Sequence, residues 1–233
     1  MNENNERIRL FRKVMQTLGE MEIKAWLDQG TLLGVVREGR FLPWDNDVDI
    51  GLWDSDIKSR EKEFFEKLSE SARVTVRKRM IFVNPHSRQG PLPVSIARYI
   101  RRGNKAVKYM QKFSENRLLH AIGAPAGRSL MRDRGFSLAS RKNKKKNILT
   151  KLYSLSGRAI LKTRAKLLDW FSKDIRCEVP SFFFDSLKRE QVYGTVVFMP
   201  KEPEKYLALK YGEDWKTPKK DWQWWKEDGA LSK

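Results

Sequence analysis

Hydrophobic and polar positions open the chain in a helical rhythm. Over residues 4–21, Ile8, Phe11, Met15 and Leu18 recur at steps of three and four, which predicts an amphipathic helix. From Glu22 to Asp28 the period changes to two. Ile23, Ala25 and Leu27 alternate with Glu22, Lys24 and Trp26, the pattern of a short strand. Gln29-Gly30-Thr31-Leu32-Leu33-Gly34 leaves that strand at a turn and opens a short helix. Val48 to Leu52 reads as another strand, framed by Asp45-Asn46-Asp47 and by Asp54. Residues 57–69 return to helix on Phe64, Phe65 and Leu68. The β-branched Val74, Val76, Ile81, Val83, Val94 and Ile96 predict strands over 73–83 and 93–100, with a Pro- and Gly-rich loop at 84–93 between them.

Beyond residue 103 the pattern reads as helix over 104–121 and again over 147–173, where Ile148, Leu152, Leu155, Ala159, Leu167 and Phe171 share one side. A Gly-, Arg- and Lys-rich stretch, 122–146, separates them and ends in the basic run 141–146. A short strand or loop at 192–198, a helix near 202–210 and a Trp-rich end follow. Together these predict an α+β fold: a mixed β-sheet with flanking helices and a largely helical middle and C-terminal region. The expected division is a core over 1–103, with 104–233 packed on it and completing its pocket.

Composition narrows the chemistry. The chain has 233 residues with 40% hydrophobic and 11% aromatic content, enough for a real core. A single cysteine, Cys177, excludes an intrachain disulfide and a cysteine-rich zinc module. With two histidines, a metal site would be built mainly from carboxylates, which suits Mg²⁺ or Mn²⁺. Lys and Arg number 48 against 29 Asp and Glu, a formal charge of +19 that attracts polyanions: nucleic acid, anionic lipid or a phosphorylated polymer. No nucleic-acid recognition motif is present, so nucleic acid is not the expected partner. No apolar run approaches the roughly 20 residues of a membrane span, and the polar N-terminus has no signal-peptide core. The expectation is a cytoplasmic protein, with the inner face of an anionic membrane as a peripheral resting place.

Residues 26–53 carry the candidate chemistry. Asp47 and Asp49 stand at i and i+2 in or entering a strand, so both side chains fall on one face and repel unless a cation sits between them. Asp45 would share that face if the strand begins early. The Gly30-Thr31 turn at a helix start offers backbone amides and a hydroxyl to a phosphate. Arg37 and Arg40 would neutralise further phosphate charge. An Asp-x-Asp by itself is most often a solvated turn; the spacing of the two signals favours a site for metal-assisted phosphoryl or nucleotidyl transfer. His86, in a Gly/Pro loop, reads as solvated and His120 as a helix-end residue.

The segment G-T-L-L-G-V-V-R-E-G-R-F-L-P-W-D-N-D-V-D-I, residues 30–50, resembles the signature of the LicD/fukutin family. Residues 198–218, F-M-P-K-E-P-E-K-Y-L-A-L-K-Y-G-E-D-W-K-T-P, resemble the family's later Tyr-Gly-x-x-Trp motif. The resemblance implies a nucleotidyltransferase-like fold. It also implies transfer of phosphocholine or a polyol phosphate from a CDP-alcohol donor onto a glycan or polyol-phosphate acceptor, one that is phosphate-rich or lipid-linked. By the same resemblance Asp47 and Asp49 are the metal-binding carboxylates, with Mg²⁺ or Mn²⁺ as cofactor. Gly30 and Thr31 hold phosphate, and Arg37, Trp44 and Asp45 surround the donor. Tyr211, Gly212 and Trp215 match the late motif, and Tyr211 and Trp215 are expected at the pocket. Three positions depart from the pattern: Asn46 replaces an Asp, Glu38 stands where a His is common, and Ser95 falls where the wider fold carries a third carboxylate. Glu178, Asp185 and Glu190 are candidates for that missing group by type alone. Two other readings serve the same residues: nucleotidyl transfer with pyrophosphate release, and a non-catalytic protein binding polyanions through 141–146 and the Trp-rich tail 215–225.

Overall fold

The computed structural model describes residues 3–45, 47–77, 79–86, 93–112, 173–219 and 221–232. Helix α1, Glu3–Glu20, leads into strand β1, Ala25–Leu27, helix α2, Gln29–Glu38, and strand β2, Val48–Trp53. Two short helices follow, α3, Asp54–Ile57, and α4, Glu61–Leu68. Then come β3, Ala72–Arg77, β4, Met80–Pro85, β5, Val94–Arg102, and β6, Lys105–Lys112. The C-terminal part contributes β7, Lys173–Pro180, α5, Phe182–Asp185, β8, Leu187–Val192, β9, Thr195–Pro200, α6, Pro203–Tyr211, and α7, Trp224–Glu227.

The strands form one mixed sheet in the order β3-β4-β5-β2-β1-β9-β8, with β6 pairing β5 and β7. β2 runs parallel to β5, and β1 runs parallel to β9 through Trp26 and Phe198; β1 and β2 are antiparallel. Residues up to Met110 and from Ile175 onward form one compact unit; Gln111–Asp174 form another, nearly all of it outside the described residues. β2 is central in the sheet, and Val48, Ile50 and Leu52, on the face opposite Asp47 and Asp49, are fully buried. Helix α1 buries Phe11, Val14 and Leu18 completely, on the stripe its periodicity predicts. Trp26 is the largest fully buried side chain and stacks on Phe184 with ring centroids 4.3 Å apart.

Three expectations change. The helix expected over 104–121 is, in its described part, strand β6. Pairing of Arg102 with Lys105 leaves Gly103-Asn104 as a two-residue hairpin turn, and Gly103 takes φ +58°, which glycine adopts without strain. Lys108 is 1% exposed in the middle of this strand, and a buried lysine hides the two-residue period. The strand expected over 73–83 is the β3–β4 hairpin, with Arg77 paired to Met80. The helix expected over 57–69 is α3 and α4, separated at Lys58–Arg60. The helix over 147–173 lies outside the described residues except at Lys173, which opens β7, and the basic run 141–146 and His120 lie outside them too. The expected C-terminal helix is α6, and β8 and β9 occupy the stretch read as a short strand or loop.

Candidate active site

The site is organised by the junction of β1 with α2. Asp28 closes β1 and caps α2, its Oδ1 accepting from the Gln29 N–H at 2.8 Å. Its own N–H donates to the Asp49 carbonyl at 3.1 Å, and its carbonyl accepts from the Leu32 N–H at 3.0 Å. Its carboxylate also accepts from Tyr99 Oη at 2.7 Å, Tyr206 Oη at 2.6 Å and Lys108 Nζ at 2.9 Å, all on buried side chains. Burial alone would raise the Asp28 pKa. The charges of Lys108 and Lys210, and the hydrogen bonds from Tyr206 and Lys108, outweigh it and hold the carboxyl well below its usual range.

On β2, the Thr31 hydroxyl accepts from the Asp49 N–H at 2.8 Å, and the Gln29 amide donates to Asp49 Oδ1 at 3.3 Å. Ser95, opposite Asp49 in the parallel β2–β5 register, donates its hydroxyl to Asp47 Oδ2 at 2.7 Å. Burial pushes the Asp47 pKa up, against the Ser95 hydrogen bond and the charge of Arg7. Asp49 is pushed well up, first by burial and then by the charges of Asp47 and Asp45, with Lys108 opposing. Arg7, reaching in from α1, donates to the Asp45 carbonyl at 3.3 Å.

A cleft of about 450 Å³ opens over this pair, within the range of small-ligand sites. Gln29, Gly30, Asp45, Asp47 and Asp49 form its floor; Leu33, Arg37, Leu42, Trp44 and Met110 line one part of the wall. Tyr211, Asp214, Trp215, Thr217, Lys219, Trp222 and Trp224 line the rest. The structure therefore brings Gly30, Arg37, Trp44, Asp45, Asp47, Asp49, Tyr211 and Trp215 to one cavity. Thr31 is buried and its hydroxyl is spent on the β2 backbone, and Arg40 is exposed and paired with Glu38; neither lines the cleft. Glu178, Asp185 and Glu190 pair with Lys105, Arg101 and Lys188 and do not line it. His86 is exposed, its Nε2 3.1 Å from the Ser69 carbonyl.

Arg37 is the sharpest sign of a ligand. Its side chain is 9% exposed, and Nη2 is held by Glu38 at 2.8 Å. Its Nε–H is buried with no hydrogen-bond partner, a deficit of about 1–3 kcal/mol, and the residue lines the cleft. Gly30 is fixed by close approach, since a Cβ there would lie 2.2 Å from Asp45 Oδ2. Gly30→Ala is expected to push the Asp45 carboxylate aside and to lower the melting temperature by no more than about 4 °C, since the clashing atom ends a flexible side chain. A larger loss in a thermal melt would mean that Asp45 cannot move.

The sequence reading missed Gln29, Lys219, Trp222 and Trp224 as cleft residues, and Asp28 with Lys108 as its buried support. The tryptophans were visible as a cluster, but nothing local showed that α6 would turn them toward β2.

A capped β1–α2 turn thus stands beside two strand carboxylates and faces an aromatic-walled cleft. Residues 22–120 match the model described as LicD/FKTN/FKRP, nucleotidyltransferase domain. Over 51 residues the chain is 39% identical to the ribitol 5-phosphate transferase FKRP of Mus musculus and of Homo sapiens, covering 22% of this chain and 10% of each of theirs. Over 47 residues it is 40% identical to an uncharacterised protein of Rickettsia prowazekii (strain Madrid E), covering 20% of this chain and 18% of that one. Residues 22–120 are thus similar to the nucleotidyltransferase domain of LicD/FKRP-type proteins. The matched stretch spans only about a tenth of the FKRP relatives.

Among the described residues no group of three or more His, Cys, Asp and Glu side chains is gathered to hold a metal ion. Two carboxylates are nonetheless a fitting donor set for Mg²⁺, which takes one or two from the protein and completes its shell with water and substrate phosphate. The repulsion that raises Asp49 is what a bound cation would relieve. No helix among the described residues is long and apolar enough to cross a membrane.

Proposed function

We propose that this chain transfers a phospho-alcohol, phosphocholine or a polyol phosphate, from a CDP-activated donor to a glycan or polyol-phosphate acceptor. The observation that carries the reading is the Asp47/Asp49 pair in a cleft that Arg37 also lines. Asp47 and Asp49 would hold Mg²⁺ or Mn²⁺, which supplies charge stabilisation to phosphate oxygens. Arg37 brings a guanidinium charge to the donor phosphates. Trp44, Tyr211 and Trp215 enclose the donor and limit water at the reacting phosphorus. The acceptor oxygen bonds to the phosphorus that carries the alcohol, the bond from that phosphorus to the CMP oxygen breaks, and CMP leaves with the electron pair. The acceptor proton passes to a carboxylate of the cleft, of which Asp45 and Asp214 are the members outside the pair. The names of the mouse and human relatives favour a polyol phosphate as the transferred group.

The domain division follows the same reading: residues 1–103 supply the carboxylates, and the later part completes the pocket through Tyr211 to Trp224. The surplus of positive charge suits a phosphate-rich or lipid-linked acceptor, with the protein peripheral on an anionic membrane face. The test is a panel of CDP-ribitol, CDP-glycerol and CDP-choline with Mg²⁺ and phosphorylated glycan acceptors, scored by the nucleotide released. CMP is expected. Pyrophosphate release from a nucleoside triphosphate would replace this reading by nucleotidyl transfer. Salt-sensitive RNA or liposome binding without nucleotide binding would replace it by a binding protein.

A further inference from the structure

Gln29 carries a side chain whose hydrogen bond goes to Asp49 rather than to the turn it stands in. Its φ is +47°, in the left-handed region that glycine enters freely and a residue with a Cβ enters at a cost. The bonds that build the turn engage its backbone N–H and the flanking Asp28 and Leu32, and a glycine would make them equally well. The side chain is half-buried on the cleft floor beside Asp47 and Asp49, with Nε2 3.3 Å from Asp49 Oδ1.

A carboxamide has two ends of nearly equal size and opposite polarity. One orientation donates N–H to Asp49; a half-turn about the last side-chain bond presents Oε1 in the same place. The site calls for the second. The Ser95 hydroxyl is already spent on Asp47, and Asp45 lines the same cleft as Asp47 and Asp49. The nine-tenths-buried Arg37 side chain, paired with Glu38, lines that cleft too. Phosphate oxygens beside two aspartates require a cation between them. We infer that Gln29 is a neutral oxygen ligand of the cation site, its amide turning from Asp49 to the cation when one binds. This inference rests on the reading that Asp47 and Asp49 hold a divalent cation. Mg²⁺ and Mn²⁺ both accept amide oxygens, and a neutral ligand adds no further negative charge to a pair that already repels.

The experiment is Mn²⁺ titration of the full chain by calorimetry, with melting temperatures recorded on the same samples. Gln29→Gly is expected to raise the Mn²⁺ Kd by about tenfold. Its melting temperature is expected to stay the same or rise by about 2–4 °C as backbone strain is released. Gln29→Glu, which supplies a charged oxygen at the same reach, is expected to tighten Mn²⁺ several-fold. Asp47→Asn is expected to remove Mn²⁺ binding. A Gln29→Gly chain with the wild-type Kd, or one that melts below wild type, overturns the inference and leaves the Asp47/Asp49 reading standing. A wild-type chain that binds no Mn²⁺ overturns both.

Discussion

Replacing Asp47 by Asn is expected to abolish transfer and leave the chain folded. The amide keeps an oxygen for the Ser95 hydroxyl, which donates at 2.7 Å, so the local packing survives. On the proposed reading, the charge that would draw a cation toward the donor phosphates is halved. Charge stabilisation of several kcal/mol is lost from the transition state, a fall of about 10³-fold or more in turnover. Asp47 and Asp49 are held above the usual carboxylate range by burial, and Asp49 also by the charge of its neighbour, so neutralising one of them removes a repulsion. The melting temperature without added metal is therefore expected to equal or exceed that of wild type. CMP release at saturating Mg²⁺, together with a thermal melt, checks both halves. Turnover within tenfold of wild type would remove Asp47 from the chemistry.

The largest expected effect on stability comes from Asp28→Asn. The variant keeps the shape of the side chain but leaves the Lys108 ammonium buried without its counter-charge. Breaking a buried pair from one side costs about 3–5 kcal/mol, which lowers the melting temperature of a chain this size by roughly 6–20 °C. Adding Lys108→Met to Asp28→Asn is expected to recover part of the loss, because the orphaned charge goes with it. Additive losses would mean that the two residues are not coupled.

The pH dependence follows from the same pair. Asp28 is depressed below its ordinary 3.8, so its stabilisation is fully present above that value and fades as pH falls through it. For Lys108, burial would lower the pKa, but Asp28 raises it above the ordinary 10.5; its contribution is full below 10.5 and lost only on the alkaline side. Wild-type melts recorded between these limits are expected to keep the full contribution of the pair, and Asp28→Asn melts to lack it throughout.

These two aspartates mark what a sequence can and cannot disclose. Asp47 and Asp49 were legible because strand alternation alone puts them on one face, and the residues around them resemble a known signature. Helix α1 was legible for the same local reason, since its buried stripe repeats within four residues. Asp28 was not. A lone acid before a turn reads as a cap, and its other partners, Tyr99, Lys108 and Tyr206, come from three separate elements. Strand β6 was misread because Lys108 is buried to meet Asp28, which breaks the polar–apolar alternation that identifies a strand. The far wall of the cleft was hidden for a related reason. Its tryptophans reach β2 only because β9 pairs with β1 and carries α6 with it, and long-range pairing leaves no periodic trace.

The pairing of β6 with β7 has a bearing on how the sheet assembles. The two strands are neighbours in the sheet although residues 113–172 separate them in the chain. In the unfolded chain such partners meet only after a long closure, whose entropy is lost before the pairing returns any stability. Non-local pairings of this kind slow folding, so the step that joins β6 to β7 belongs to the slow part of the process.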